Sequence, residues 1–164
     1  MTLRAAIALL LVASLAGCSA EQPSGISEPP PVRTAPSGLS LVPLQIQSGG
    51  RNHDFTVEVA ATSEQQAQGL MFRERLGPSE GMLFPFPSPR PASFWMKNTL
   101  IPLDMIFIRP DGTIGRIAVN TVPHSLEPVA FNEPTAAVLE LAGGRTVQLG
   151  IKPGDRVRWT GGPS

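Results

Sequence analysis

The chain has 164 residues, 13 basic and 13 acidic side chains, and one cysteine, Cys18. That length suits a single domain with one core. Balanced charge without a basic face excludes a nucleic-acid binder, and a lone cysteine excludes an intrachain disulfide framework.

In chain order, Arg4 gives a short positive region and Ala5 to Ala16 an apolar stretch too short to cross a bilayer comfortably. Leu15-Ala16-Gly17-Cys18 resembles a bacterial lipobox. The expectation is a lipoprotein signal peptide over 1–17 and acylation (palmitate and related chains) at Cys18. Each buried acyl methylene contributes about 0.8 kcal/mol of membrane anchoring. An acylated Cys18 leaves no thiol for catalysis or metal binding. Ser19, rather than Asp, follows the cysteine. By analogy with enterobacterial sorting this favours the outer membrane, with the domain facing the periplasm. Residues 18–39 form a tether rich in Pro, Ser and Gly, including Pro29, Pro30 and Pro31. A single β domain over 40–161 and a tail over 162–164 complete the organisation.

Within the domain, Leu41 to Gln47 and Asp54 to Ala60 alternate as strands around a turn over 48–53. Thr62-Ser63-Glu64-Gln65 is a helix start with a capping box. The pattern predicts a helix to about Leu76, with Ala67, Leu70 and Met71 inward and Gly77-Pro78 as its end. Gly69 is costly inside a helix, by about 1 kcal/mol against Ala, unless a helix end or close contact requires it. Met82 to Phe86 reads as a short strand with Pro85 at an edge or bulge, and Pro87 to Pro91 as a loop.

The run from Phe94 to Ile108 reads as a hairpin with Thr99 to Pro102 as its loop. Register arithmetic then sets Lys97 opposite Asp104 on a face shared with Trp95, Ile106 and Ile108. Phe94, Met96, Leu103, Met105 and Phe107 take the apolar face. Asp111-Gly112 is a second hairpin turn, joining 103–108 to 113–119. An irregular segment over 120–134 carries His124. Ala136 to Leu141 is a strand, Lys152 to Asp155 a turn, and Arg156 to Trp159 a final strand. One short helix among seven or eight short strands predicts a mainly β fold, a compact antiparallel barrel or sandwich of jelly-roll type.

Five motifs carry a family resemblance: Gly69-Leu70-Met71 with Arg73; Gly81-Met82-Leu83-Phe84; Phe94 to Thr99 followed by Ile101-Pro102-Leu103-Asp104; Leu139-Glu140-Leu141 with Gly143; and Gly154-Asp155. Together they resemble the family called domain of unknown function 192, over about Phe55 to Trp159. The resemblance implies a small, mainly β fold and no activity.

Candidate chemistry centres on the hairpin. Lys97 and Asp104 form either a structural ion pair or the floor of a ligand site. Trp95, Lys97, Asn98 and Asp104, with His124 from the long loop, make up the candidate ligand site. Glu140 is a second acid between two leucines. It pairs with Arg73, Arg75 or Arg145, or joins Asp104 as an acid pair of the glycosidase kind. Met71, Met82, Met96 and Met105 are soft-metal donors by type, yet core packing explains them. No His-x-His, Asp-x-Asp or phosphate loop occurs, so no metal or cofactor is expected. The resulting expectation is a non-catalytic envelope domain, held to the membrane by its lipid and binding a glycan or a protein. The alternatives are a hydrolase or lyase using Asp104 and Glu140 on an envelope polymer, and a purely structural component.

Overall fold

The computed structural model describes residues 33–162. The expected signal peptide over 1–17, the expected acylation site Cys18, the first part of the expected tether and residues 163–164 lie outside these. The described chain contains strands β1 (Arg33–Thr34), β2 (Ser40–Ser48) and β3 (Arg51–Val59), helix α1 (Ser63–Gln68), and strands β4 (Glu80–Phe94), β5 (Leu103–Ile108), β6 (Ile114–Ala118) and β7 (Val129–Ala142). Helix α2 (Arg145–Leu149) and strand β8 (Arg156–Trp159) follow.

The fold is mainly β, as the strand periodicity predicts. All eight described strands join one sheet in the order β1-β2-β3-β4-β7-β5-β6, with β8 pairing β2 on the same edge as β1, opposite β3. The pairing is antiparallel except between β3 and β4, which run parallel. No ladder closes the sheet into a barrel. Only an isolated bridge from Thr113 to Arg156 links the β5–β6 turn to β8. The architecture is therefore a strongly folded, sandwich-like sheet. Pairing begins at Arg33, opposite Leu41, inside the stretch read as tether.

Local chemistry explains most boundaries. Gly49 and Gly50 both have positive φ, 54° and 75°, so a two-residue turn pairs Ser48 directly with Arg51. Thr62 and Gln65 form the expected capping box on α1. The helix stops far short of Leu76, because Gly69 adopts φ 48° as its cap. A Cβ there would lie 3.4 Å from the Phe84 ring. Leu70 is buried and Met71 half-buried as predicted, but Ala67 is exposed. The stretch Pro87 to Pro91 is not a separate loop. It belongs to β4, whose pairing with β7 shifts register on either side of Arg90 because proline donates no ladder hydrogen bond. Likewise β7 starts at Val129, inside the predicted irregular segment, since Val129, Ala130 and Phe131 pair with Phe94, Ser93 and Ala92.

Two apolar cores lie on opposite faces of the sheet. One contains Ile46, Val57, Leu83, Ile106, Ile108, Leu139 and Leu141. The other contains Leu70, Met82, Phe84, Met96, Leu103, Met105 and Phe107. All six residues of β5 are buried, so this strand is covered on both sides. No helix among the described residues is long and apolar enough to cross a membrane.

Candidate functional site

The central hairpin does not form. Strand β4 ends at Phe94, and β7 lies between β4 and β5. Residues 95–102 are instead a turn, with Asn98 at φ 55° and the Thr99 N–H donating to the Met96 carbonyl at 3.1 Å. Lys97 is exposed and Asp104 fully buried, so the predicted ion pair between them is absent.

Asp104 has different partners. Its Oδ1 accepts hydrogen bonds from the backbone N–H of Asn120 and of Gly144, each at 2.8 Å. Its Oδ2 accepts from the Thr146 N–H at 2.8 Å and the Thr146 hydroxyl at 2.6 Å. Gly144 precedes α2 and supplies no side chain to cap it. Asp104 therefore caps α2 from another strand, satisfying N–H groups that a helix start leaves unpaired. Its role is structural. Helix α2 itself, five residues long, left no periodic signal in the sequence.

Of the two candidate acids, Glu140 faces a cavity. Its neighbours Leu139 and Leu141 enter the first core, so Glu140 points to the opposite face, where Met82 of β4 and Met105 of β5 are its register partners. The partner of Asp104 in the same ladder is Leu141. Asp104 and Glu140 thus project from opposite faces of the sheet and cannot act as an acid pair. None of the expected arginines pairs with Glu140 among the described residues. Arg73 pairs with Glu58 at 2.7 Å, Arg145 bonds Gln148, and Arg75 is exposed. Glu140 is 4% exposed and forms no salt bridge or side-chain hydrogen bond among the described residues. Burial alone pushes its carboxyl up to about 8, so it is mainly protonated at neutral pH.

The cavity has a volume of about 250 Å³. Glu140, Phe84, Phe94, Trp95, Lys97 and Thr99 form much of its wall, and the turn after α1 closes another side. Trp95 is 51% exposed, and the Lys97 ammonium lies 5.2 Å from its ring centre. Three backbone bonds tie the surrounding loops together: Phe72 N–H to the Asn98 carbonyl at 2.8 Å, Met96 N–H to the Ser125 carbonyl at 2.9 Å, and His124 N–H to the Thr99 carbonyl at 3.2 Å.

Of the predicted site residues, the fold brings Trp95, Lys97 and Glu140 together. Asn98 shapes the turn without lining the cavity, and its amide lies 3.8 Å from the Met71 sulfur. The exposed His124 contributes backbone only, at φ 61°. Thr99 is a lining residue missed in the sequence, where it looked like part of a hairpin loop. Met82, Met96 and Met105 are core residues, and Met71 touches the cavity.

Residues 44–159 match the model of the family DUF192, described as "Uncharacterized ACR". The chain is similar to a crystal structure from Novosphingobium aromaticivorans, described as a protein of unknown function. That match has 45% identity and a TM-score of 0.77, and covers 85% of this chain and 100% of that one. It is also similar to a Sinorhizobium meliloti crystal structure described as a candidate transcription regulator. There the identity is 47% and the TM-score 0.73, with 75% of this chain and 96% of that one covered. No curated protein matches the chain.

Proposed function

We propose, for a chain that belongs to the domain-of-unknown-function-192 family, that it is a lipid-anchored envelope protein whose β domain binds a saccharide unit of an envelope glycan. The observation that carries this reading is Glu140, a buried carboxyl with no hydrogen-bond or ion-pair partner among the described residues, lining an open cavity. Burying such a group costs stability unless something compensates, and perturbed acids of this kind cluster at functional sites. A purely structural acid is better exemplified by Asp104, with its four donors.

The lining supports a saccharide over a protein partner. A recessed acid beside the half-exposed Trp95 ring suits a small amphipathic ring with hydroxyls. A protein surface would meet the rim and leave Glu140 unmatched. Catalysis by two carboxylates has no support, since the second acid is on the other face. The balanced charge of the chain gives no support for DNA as the ligand of this one. The anchor reading rests on Leu15-Ala16-Gly17-Cys18.

Co-sedimentation of the full-length protein with purified insoluble cell-wall glycan tests the reading. The wild type is expected to sediment with the glycan and Glu140→Leu to stay in solution. Equal sedimentation of both, or of neither, would contradict it.

A further inference from the structure

We infer that the Glu140 cavity takes the carboxylate of an acidic saccharide, with the Glu140 carboxyl donating a hydrogen bond to one oxygen and the Lys97 ammonium supplying the opposite charge. This rests on the saccharide reading above and narrows it to one chemistry.

The lining contains two cations, Lys97 and Arg90, against a single acid. Arg90 is already stacked on Phe86, its guanidinium carbon 3.9 Å from the ring centre. Lys97 has no carboxylate partner among the described residues. The groups that face Glu140 from the neighbouring strands are Met82 and Met105, both uncharged. The wall made by α1 and the turn after it adds Gln66, Gln68 and Met71, also uncharged. The Gln66 amide is fixed by donating to the Ala60 and Pro85 carbonyls at 3.1 and 2.9 Å.

Glu140, protonated by its burial, is a donor at neutral pH. Its natural complement is an ionised oxygen, because an O–H donor to a carboxylate makes a charge-assisted bond roughly twice as strong as a neutral one. A cationic ligand would meet two positive side chains and no ionised acid. A neutral sugar would satisfy Glu140 but leave the Lys97 charge unmatched. Above the Glu140 titration the cavity gains a negative charge, and a carboxylate ligand is then repelled.

The test is calorimetric titration of the full-length protein with D-glucuronate, its methyl ester, D-glucose and an oligoglucuronide, at pH 6.5 and pH 9. Both glucuronate forms are expected to bind at least about tenfold tighter than glucose or the ester at pH 6.5. Their affinity should fall about tenfold at pH 9, as one proton with a midpoint near 8 dictates. Glu140→Gln retains an N–H donor, so it should still bind at pH 6.5 and lose the pH dependence. Lys97→Met should weaken both glucuronate forms and leave glucose unchanged. Tighter binding of the oligomer than of the monomer supports a chain-borne carboxylate, and equal binding a free acid. If glucose and the ester bind as well as glucuronate, the carboxylate inference fails while the saccharide reading stands. If no saccharide binds at either pH, both fail.

Discussion

Two buried acids sit on adjacent strands of the sheet, one ladder position apart. Asp104 on β5 and Glu140 on β7 are 0% and 4% exposed, yet their surroundings are opposite. Asp104 receives four hydrogen bonds from three residues. Glu140 receives none among the described residues, and burial pushes its carboxyl up to about 8. Burial therefore does not separate a structural acid from a functional one; the number of donors does. A carboxylate with four donors is tied into the fold and unavailable to a ligand. A carboxyl with none is left with its hydrogen-bonding capacity directed into a cavity.

Removing the charge should have contrary effects at the two positions. In Asp104→Asn, one oxygen becomes an NH₂ group that must face at least one backbone N–H donor, whichever way the amide turns. Urea unfolding at neutral pH is expected to show a loss of about 3–5 kcal/mol. A loss below about 1 kcal/mol would break the contrast. Glu140→Gln should instead stabilise the fold, on the order of 2–4 kcal/mol at pH 9. The sign follows from its raised titration. Below the ordinary value of 4.5, folded and unfolded states both hold the proton. Between 4.5 and about 8 only the folded state keeps it, so wild-type stability falls as pH rises, and above 8 the loss is complete. The variant should lack this fall when unfolding is followed across pH 4 to 9.

Thr146→Ala removes the hydroxyl donor to Asp104 but keeps the backbone one. A loss of about 1–2 kcal/mol is expected in the same unfolding assay. Lys97→Met should be the smallest effect, within about 0.5 kcal/mol, because Lys97 is exposed and holds no ion pair among the described residues. A larger loss there would turn Lys97 into a fold residue and weaken its assignment to the cavity.

Elements fixed by local chemistry were readable from the sequence. Asp111-Gly112 marks a hairpin turn, and Thr62 and Gln65 mark the start of α1, whereas the turn read over 48–53 shrinks to Gly49-Gly50 because β3 pairs from Arg51. Even the apolar face Leu103, Met105 and Phe107 emerged correctly, since alternation along one strand needs no knowledge of its partner. The pairing of Lys97 with Asp104 failed because it assumed that neighbouring strands in sequence pair in space. Here β7, which begins at Val129 well after β5 ends at Ile108, inserts between β4 and β5. The true partners of Asp104 lie 16, 40 and 42 residues along the chain, beyond any local rule. Glu140 stood out as an acid between two leucines, but its lack of a partner follows only from the sheet order. The predicted helix extends to Leu76 because the apolar spacing continues past Gly69, whose positive φ ends α1.

The most direct test is a site-resolved ¹³C NMR titration of the Glu140 side-chain carboxyl in the full-length protein. A midpoint near 8 is expected, placing a protonated donor in the cavity at neutral pH. A midpoint near the ordinary 4.5 would mean that Glu140 is ionised and paired, and the contrast with Asp104 would be lost.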